Sequence, residues 1–257
     1  MVDDGSDKAA PPVIQEWVRS LPLTISRQTH TGISAARNRG IQISSGSVLL
    51  FVDADCRLDA NCLAALNSAI AHSLQQDYFQ LRLIGSPSSL VGRAEELRLV
   101  TLQEHTLQPH GRIRYLNTAG FAIRRTRVNT EAGLFSLGAR RGEDTLLLAD
   151  LMQHGELPLF VPDAIVQHAV ALSLIACLRK DIRSAYLERR AYQVIASKGV
   201  RIRVTNRERL RLLWSMWKNA RKDSIGRRAW FVLVVRQAFQ RVLSFGFNIL
   251  HSGANSR

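Results

Sequence analysis

Residues 48–52 read Val-Leu-Leu-Phe-Val without interruption, and the run ends in Asp53-Ala54-Asp55. Five consecutive apolar residues, rather than an apolar/polar alternation, describe a strand covered on both faces. Such a strand needs other elements packed on each side, which restricts the chain to a layered architecture. The two aspartates fall where the strand ends. In open α/β sheets ligands bind beyond the carboxyl ends of strands, and side chains two apart along a strand point the same way. Both carboxylates can therefore face one site. Like charges this close are costly without a positive neighbour. A divalent cation supplies one, and hard oxygen donors suit Mg²⁺ or Mn²⁺ holding a phosphate-bearing substrate. Taken alone, Asp-x-Asp is more often the polar start of a loop, because short motifs recur by chance.

The rest of the chain alternates. Pro11 and Pro12 open a short helix to about residue 19, and residues 21–26 alternate like a brief strand. In residues 32–46, Ile33, Ala36, Gly40, Ile41 and Ile43 share a helical face, closed by Gly46. A helix over 61–73, a strand over 77–85 and a helix over 93–105 follow. Residues 112–125 read as one or two strands, or as a strand and a loop. Residues 142–155 form a helix with Glu143 and Asp144 in its first turn. Residues 157–170 are extended, but Pro158 and Pro162 argue against a central place in a sheet. From residue 172 onward the pattern is helical, with a break near 199–205. The order predicts an α/β unit over residues 1–170, a mostly parallel sheet flanked by helices, followed by a helical region over 171–257.

With 257 residues and 46% hydrophobic content, the chain can bury a substantial core, which excludes a disordered protein. The formal charge of +14 is concentrated: residues 179–241 carry 18 Lys/Arg against 4 Asp/Glu. The remainder is balanced, so the C-terminal third should meet a polyanion, either a membrane surface or a nucleic acid. Cys56, Cys62 and Cys177 form no CxxC pair and read as free thiols in a reducing compartment. The first residues, MVDDGSDKAAPP, have neither the basic nor the apolar region of a secretory signal.

The segment GISAARNRGIQISSGSVLLFVDADC resembles family 2 glycosyltransferases, in which a Gly-x-Ser-x-Ala-Arg-Asn helix leads into the strand bearing Asp-x-Asp. VDDGSD looks like that family's Asp-Asp-Gly-Ser turn. NTAGFAIRRTRVNTEAGLF and RRGEDTLLLADLMQHGELPLFVPDAIVQH look like its acceptor-side half. Together they extend over about residues 2–168. The resemblance implies a GT-A fold, a nucleotide-diphospho-sugar donor and inversion at the anomeric carbon. It implies that Asp4, with Asp3 beside it, contacts the nucleoside, that Arg37 contacts the nucleotide portion, and that Asp53 contacts the ribose or the metal's surroundings. Asp55 would ligate the metal, Mn²⁺ or Mg²⁺. Asp144 would be the base that takes the acceptor proton, with Glu143 positioning the acceptor or serving as second choice. The same two acids also suit a helix N-terminus on dipole grounds alone. His168 is either a further metal ligand, as in some members, or a hydrogen-bonded structural residue. Family members usually carry a strand, a helix and a second strand before the Asp-Asp-Gly-Ser turn, so the expectation is a start upstream of Met1 or a fragment with impaired donor binding.

In the tail, Leu210, Leu213, Trp214 and Trp217 share a helical face ringed by cations. Residues 229–250 are more apolar, with Arg236, Gln237, Gln240, Arg241, Ser244 and Asn248 in one polar stripe. Such helices suit a membrane interface, apolar side down and basic flank on anionic head groups, or else packing against the catalytic unit. Residues 178–193 can cover the acceptor side, with Arg189 and Arg190 near a phosphate-bearing acceptor. The expectation is an inverting glycosyltransferase peripheral to the cytoplasmic membrane face, acting on a glycan or lipid-linked acceptor in polysaccharide or glycolipid assembly. The alternative is a noncatalytic fragment that binds membrane or protein through its basic tail. Nucleic acid is the weaker partner, since no recognition module accompanies the charge.

Overall fold

The computed structural model describes the chain apart from residues 9–11, 86–88, 138–140, 169–172, 203 and 253–257, and apart from the side chains of 12, 13, 15, 189, 190, 206 and 244–252. In chain order the elements are β1 (Val2–Asp3), α1 (Pro12–Ser20), β2 (Ser26–Arg27), α2 (Ile33–Ile43), β3 (Val48–Phe51), β4 (Cys56–Leu58), α3 (Cys62–His72) and β5 (Tyr78–Gly85). Then come α4 (Leu90–Thr106), β6 (Phe121–Arg124), α5 (Glu143–Gln153), β7 (Leu159–His168), α6 (Leu174–Leu187), α7 (Arg189–Ser197), α8 (Asn206–Ala220) and α9 (Ser224–Ser252). The expected boundary at residue 170 lies outside the described residues. The strand expected over 21–26 shrinks to β2, which pairs in parallel with β1 in a small separate sheet.

The main sheet runs β3-β6-β5-β7-β4. The expectation of a mostly parallel sheet needs correction: only β5–β7 is a parallel ladder, while β3–β6, β5–β6 and β4–β7 are antiparallel. Strands β3, β5 and β7 do share one direction. The helix-strand alternation encoded that shared direction, but not the two strands of opposite sense, β6 and β4, that sit beside them. The proline argument is also corrected. β7 lies inside the sheet, between β5 and β4, and Pro162 is tolerated because the ladder is broken there: Leu81 pairs with Val161 and Arg82 with Ile165. Pro162 thus sits in a bulge, where no ladder donor is required.

Both faces of the sheet are covered, as the unbroken run at 48–52 requires. On one face Phe79, Leu81, Leu83, Val161 and Val166 pack with Cys62 and Leu66 of α3. On the other, Leu49, Phe121 and Ile123 pack with Ile41 of α2 and Leu147, Leu148 and Leu151 of α5. Successive β3 residues divide between them, with Val48 and Leu50 against the first cluster and Leu49 and Phe51 against the second. Gly85 ends β5 so close to α4 that a Cβ would stand 2.7 Å from the Glu96 nitrogen.

The C-terminal helices pack on the sheet unit through α4. Ala94 and Leu97 meet Leu212, Met216 and Ala220 of α8 and Ala229 and Leu233 of α9. Trp217 packs on Trp230 with ring centroids 4.9 Å apart, and Trp230 Nε1 donates to the Leu213 carbonyl at 2.9 Å. The face expected to hold Leu210, Leu213, Trp214 and Trp217 is therefore divided. Leu213 and Trp217 turn toward α9, while Leu210 and Trp214 are exposed. On α9, Arg236 of the polar stripe is buried at 6% exposure and Gln237 and Gln240 are half-buried, whereas Phe231 and Val242 are 64% and 70% exposed. Arg236 is thus turned to the protein, while Arg241 of the same stripe is exposed. Apolar residues lie on both sides of α9, since Ala229 and Leu233 are buried against α4 and α8, and the side chains of Ser244 and Asn248 lie outside the described ones.

Candidate active site

Helix α2 supplies adjacent residues with complementary tasks. Asn38 is buried, and its side chain donates to the Phe135 carbonyl (2.8 Å) and accepts from the amides of Leu134 and Phe135 (3.0 Å each). The turn that presents those groups passes through Gly133 at φ +77°, where a Cβ would stand 2.5 Å from the Asn38 side chain. Only glycine meets both conditions. The Phe135 ring, fixed in this way, lies 5.6 Å from the Arg37 guanidinium. That guanidinium, 10% exposed, donates from Nη2 to Asp53 Oδ1 at 2.8 Å and from Nη1 to Glu143 Oε1. One cation therefore joins the end of β3 to the start of α5.

The second aspartate reaches a different partner. After Asp53 the chain turns, with the Cys56 amide donating to the Asp53 carbonyl, and enters β4. Cys56 pairs with His168 across the β4–β7 ladder. The pairing places His168 Nε2 3.2 Å from Asp55 Oδ2. The ligand atoms of Asp55, Cys56 and His168 lie within 4.8 Å of one another. A carboxylate oxygen and an imidazole nitrogen at this separation fit a divalent cation such as Mn²⁺ or Mg²⁺. Burial, then the negative charges of Asp55 and Asp53, push the Cys56 thiol up to about 12, and a hard cation prefers oxygen and nitrogen donors to sulfur.

Asp144 follows Gly142, whose φ of +84° starts α5 and whose missing Cβ leaves room for Ala191 of α7. Burial, and then the adjacent Glu143 charge, raise the Asp144 carboxyl to about 6 despite hydrogen bonds from the Thr145 amide and hydroxyl. A carboxylate with that affinity is ionised at neutral pH yet basic enough to accept a proton in a transition state.

Arg37, Asp53, Asp55, Glu143, Asp144 and His168 all line one cleft of about 1680 Å³. Pockets for a single small molecule span about 300–1,000 Å³, so this cleft has room for two substrates. Asp3 and Asp4 are not part of the lining. Although burial opposes its charge, Asp4 is held below the usual carboxylate range by bonds from the Thr31 amide, Gln28 and the Gly32 amide, with His30 beside it. It shapes the loop before α2, and His30, Thr31 and Gly32 of that loop face the cleft. Cys56, His30 and Tyr115 are lining or cluster residues that sequence reasoning missed. Only Cys56 left a signal, standing directly after Asp-x-Asp. The side chains of Arg189 and Arg190 lie outside the described residues.

A profile described as Glycosyl transferase family 2 matches residues 1–130, half of the chain. The chain belongs to glycosyl transferase family 2.

Solved structures agree on the fold, which is of the GT-A type. The mannosyltransferase PcManGT from Pyrobaculum calidifontis, in complex with GDP-Man and Mn²⁺, superposes with a TM-score of 0.55 at 16% identity, covering 99% of this chain and 69% of its own. TarS 1-349 from S. aureus, in complex with UDP-GlcNAc, gives 0.50 at 13% identity over 96% of this family 2 chain and 81% of its own. GalNAc-T7 with UDP, GalNAc and Mn²⁺ gives 0.49 at 20% identity over 67% of this chain, which spans 37% of the GalNAc-T7 chain. No curated protein matches the sequence.

Proposed function

We propose that the chain is a metal-dependent, inverting glycosyltransferase that moves a sugar from a nucleotide-diphospho-sugar to a hydroxyl of a glycan or lipid-linked acceptor, in polysaccharide or glycolipid assembly. The observation that carries this reading is the Arg37 bridge. It holds Asp53, beside the candidate cation ligands, and Glu143, beside the candidate base, on one guanidinium inside one cleft. Asp55 and His168 would hold the cation, which supplies charge neutralisation for the donor's diphosphate. The relatives crystallised with Mn²⁺ support a divalent metal without separating Mn²⁺ from Mg²⁺.

Asp144 takes the proton of the acceptor hydroxyl as its oxygen bonds to the anomeric carbon. The bond from that carbon to the diphosphate oxygen breaks on the opposite face, so configuration inverts. Arg37 places positive charge where the leaving group gains negative charge, which is where preorganised charge lowers the barrier most. Asp4 acts on the nucleoside through the 28–32 loop that it ties down, and Asp3, which accepts from the Ser6 amide and pairs with Arg27, shapes the turn beside it.

The same reading places the protein on the inner face of the cytoplasmic membrane. No described helix is long and apolar enough to cross a bilayer. The outward residues Phe231, Val235 and Val242 on α9, and Leu210 and Trp214 on α8, supply apolar area beside many cations, the combination that binds anionic lipid surfaces.

The decisive experiment screens nucleotide-sugars by thermal shift with and without Mn²⁺, then assays transfer with the donor that binds. A metal-dependent shift for one donor, followed by product of inverted configuration, is expected. Binding without turnover on any acceptor would favour the noncatalytic reading, and retention of configuration would overturn the role of Asp144.

A further inference from the structure

The cleft continues past the acids and changes sign. Beyond Tyr115 it runs between α4, α6 and α9, where Arg98, Lys180, Arg183, Arg236 and Arg241 line it. The carboxylates contributed by those three helices are Glu95 and Asp181, and both are engaged. Glu95 accepts from Arg98 Nε, and Asp181 accepts two 2.9 Å bonds from Nε and Nη2 of Arg236. Lys180 and Arg183 are exposed and form no salt bridge among the described residues. Glu188, just after α6, also lines the cleft and pairs with Arg141 at 3.3 Å, so the cations lining this end outnumber its carboxylates.

The inward stripe of α9 gives the second, independent observation. A surface helix normally turns its apolar side to the protein. Here Arg236 is buried in the wall, with Nη1 left without a hydrogen-bond partner and the nearest carboxylate oxygen, on Glu95, 3.8 Å away. Gln237 and Gln240 line the cleft beside it, together with the buried Leu233, while Phe231, Val235 and Val242 face outward. A polar, cationic stripe turned into a cleft suits a cleft whose occupant is anionic at that end. Tyr115 marks the junction, within electrostatic reach of both Arg98 and Asp144.

We propose that this basic end is an acceptor subsite for a phosphate or diphosphate group. It rests on the glycosyltransferase reading above. The acceptor presents its hydroxyl at Asp144 and its phosphate group to Lys180 and Arg183, with Arg98 and Arg241 behind them. Phosphate fits better than a carboxylate: it carries up to two charges on three oxygens and matches several converging donors, including the planar guanidinium fork. The donor's own diphosphate belongs at the opposite end, with Arg37, Asp55 and His168.

The test uses the full chain and the double variant Lys180→Ala/Arg183→Ala, whose exposed side chains can be removed with little effect on folding, as checked by Tm. Three acceptors bearing the same sugar are compared: a polyprenyl-diphosphate-linked form in detergent micelles, a soluble sugar phosphate and a neutral glycoside. The wild type should prefer the phosphate-bearing acceptors, and the double variant should lower the ratio of kcat/KM for phosphate-bearing over neutral acceptors at least tenfold. Charge-preserving Lys180→Arg/Arg183→Lys should keep that ratio within threefold. Preference for the micellar acceptor alone identifies a lipid-linked source, and preference for both phosphate forms identifies the group itself. An unchanged ratio in the double variant overturns the subsite while leaving the transferase reading intact. Titration of inorganic diphosphate into metal-free protein separates the converse case. Binding that is lost in the double variant supports the anion site even if no sugar transfer is found, and binding that is indifferent to the substitutions counts against it.

Discussion

His168 Nε2 stands 3.2 Å from Asp55 Oδ2, brought there by the pairing of β4 with β7 rather than by proximity in the chain. If this pair holds the cation, Asp55→Ala and His168→Ala should each weaken Mn²⁺ binding in the presence of nucleoside diphosphate by tenfold or more, measured calorimetrically. Removing Mn²⁺ with a chelator should abolish donor binding to the wild type. A His168→Ala protein with wild-type Mn²⁺ affinity would leave the histidine as a structural partner of Asp55.

The Asp144 carboxyl should set the acid limb of the pH–rate profile, with kcat/KM falling as pH drops through about 6. Asp144→Asn should reduce transfer by about 10²–10⁴-fold. Activity of the Asn variant within threefold of wild type at pH 7 would exclude Asp144 as the base.

The same residue makes an opposite prediction for stability. Its pKa rises from 3.8 unfolded to about 6 folded, so the native state binds more protons between those values. The associated stability is full below pH 4 and is lost as pH climbs through 6. At pH 7.5, Asp144→Asn should therefore be more stable than wild type, by at most about 3 kcal/mol, and the gain should vanish near pH 4. Denaturant titrations at the two pH values measure it.

Arg37→Ala leaves Glu143 buried and unpaired, which should cost about 3–5 kcal/mol in unfolding free energy. Arg37→Met combined with Glu143→Leu should recover most of that stability and none of the activity. If the double variant is no more stable than Arg37→Ala alone, the loss lies elsewhere.

Phe231→Glu/Val235→Glu, both on the outer side of α9, should reduce sedimentation with anionic vesicles without changing Tm by more than a few degrees. Equal sedimentation of variant and wild type would remove α9 from the membrane contact.

Much of this was legible in the sequence because periodicity reports burial. The unbroken run at 48–52 announced a strand covered on two faces, and each of its residues from Val48 to Phe51 does pack against one of the two cores. The neighbours of each strand were not legible. Nothing local in residues 121–124 says that they will lie between β3 and β5, because sheet order is a long-range choice. Pro162 misled for a related reason: a rule about ladder donors does not apply where the ladder is interrupted. At the site, Arg37, Asp53, Asp55, Glu143, Asp144 and His168 converge on one cleft, whereas Asp4 spends its oxygens on backbone amides. The direction of the α9 stripe was ambiguous in principle, since a polar stripe is the same pattern whether it faces water or a polar cleft.

The interruption in β7 fixes more than a proline. Between Val161 and Ile165 the strand spends extra residues while β5 advances by one, and only afterwards does the numbering bring His168 opposite Cys56. Strand side chains alternate sides with strict parity. That parity is reset between Val161 and Ile165, so the face on which the imidazole emerges is dictated by the four partners that follow, Arg82 with Ile165 to Gly85 with His168, and a slip of one residue in that later pairing would carry it to the far side of the sheet.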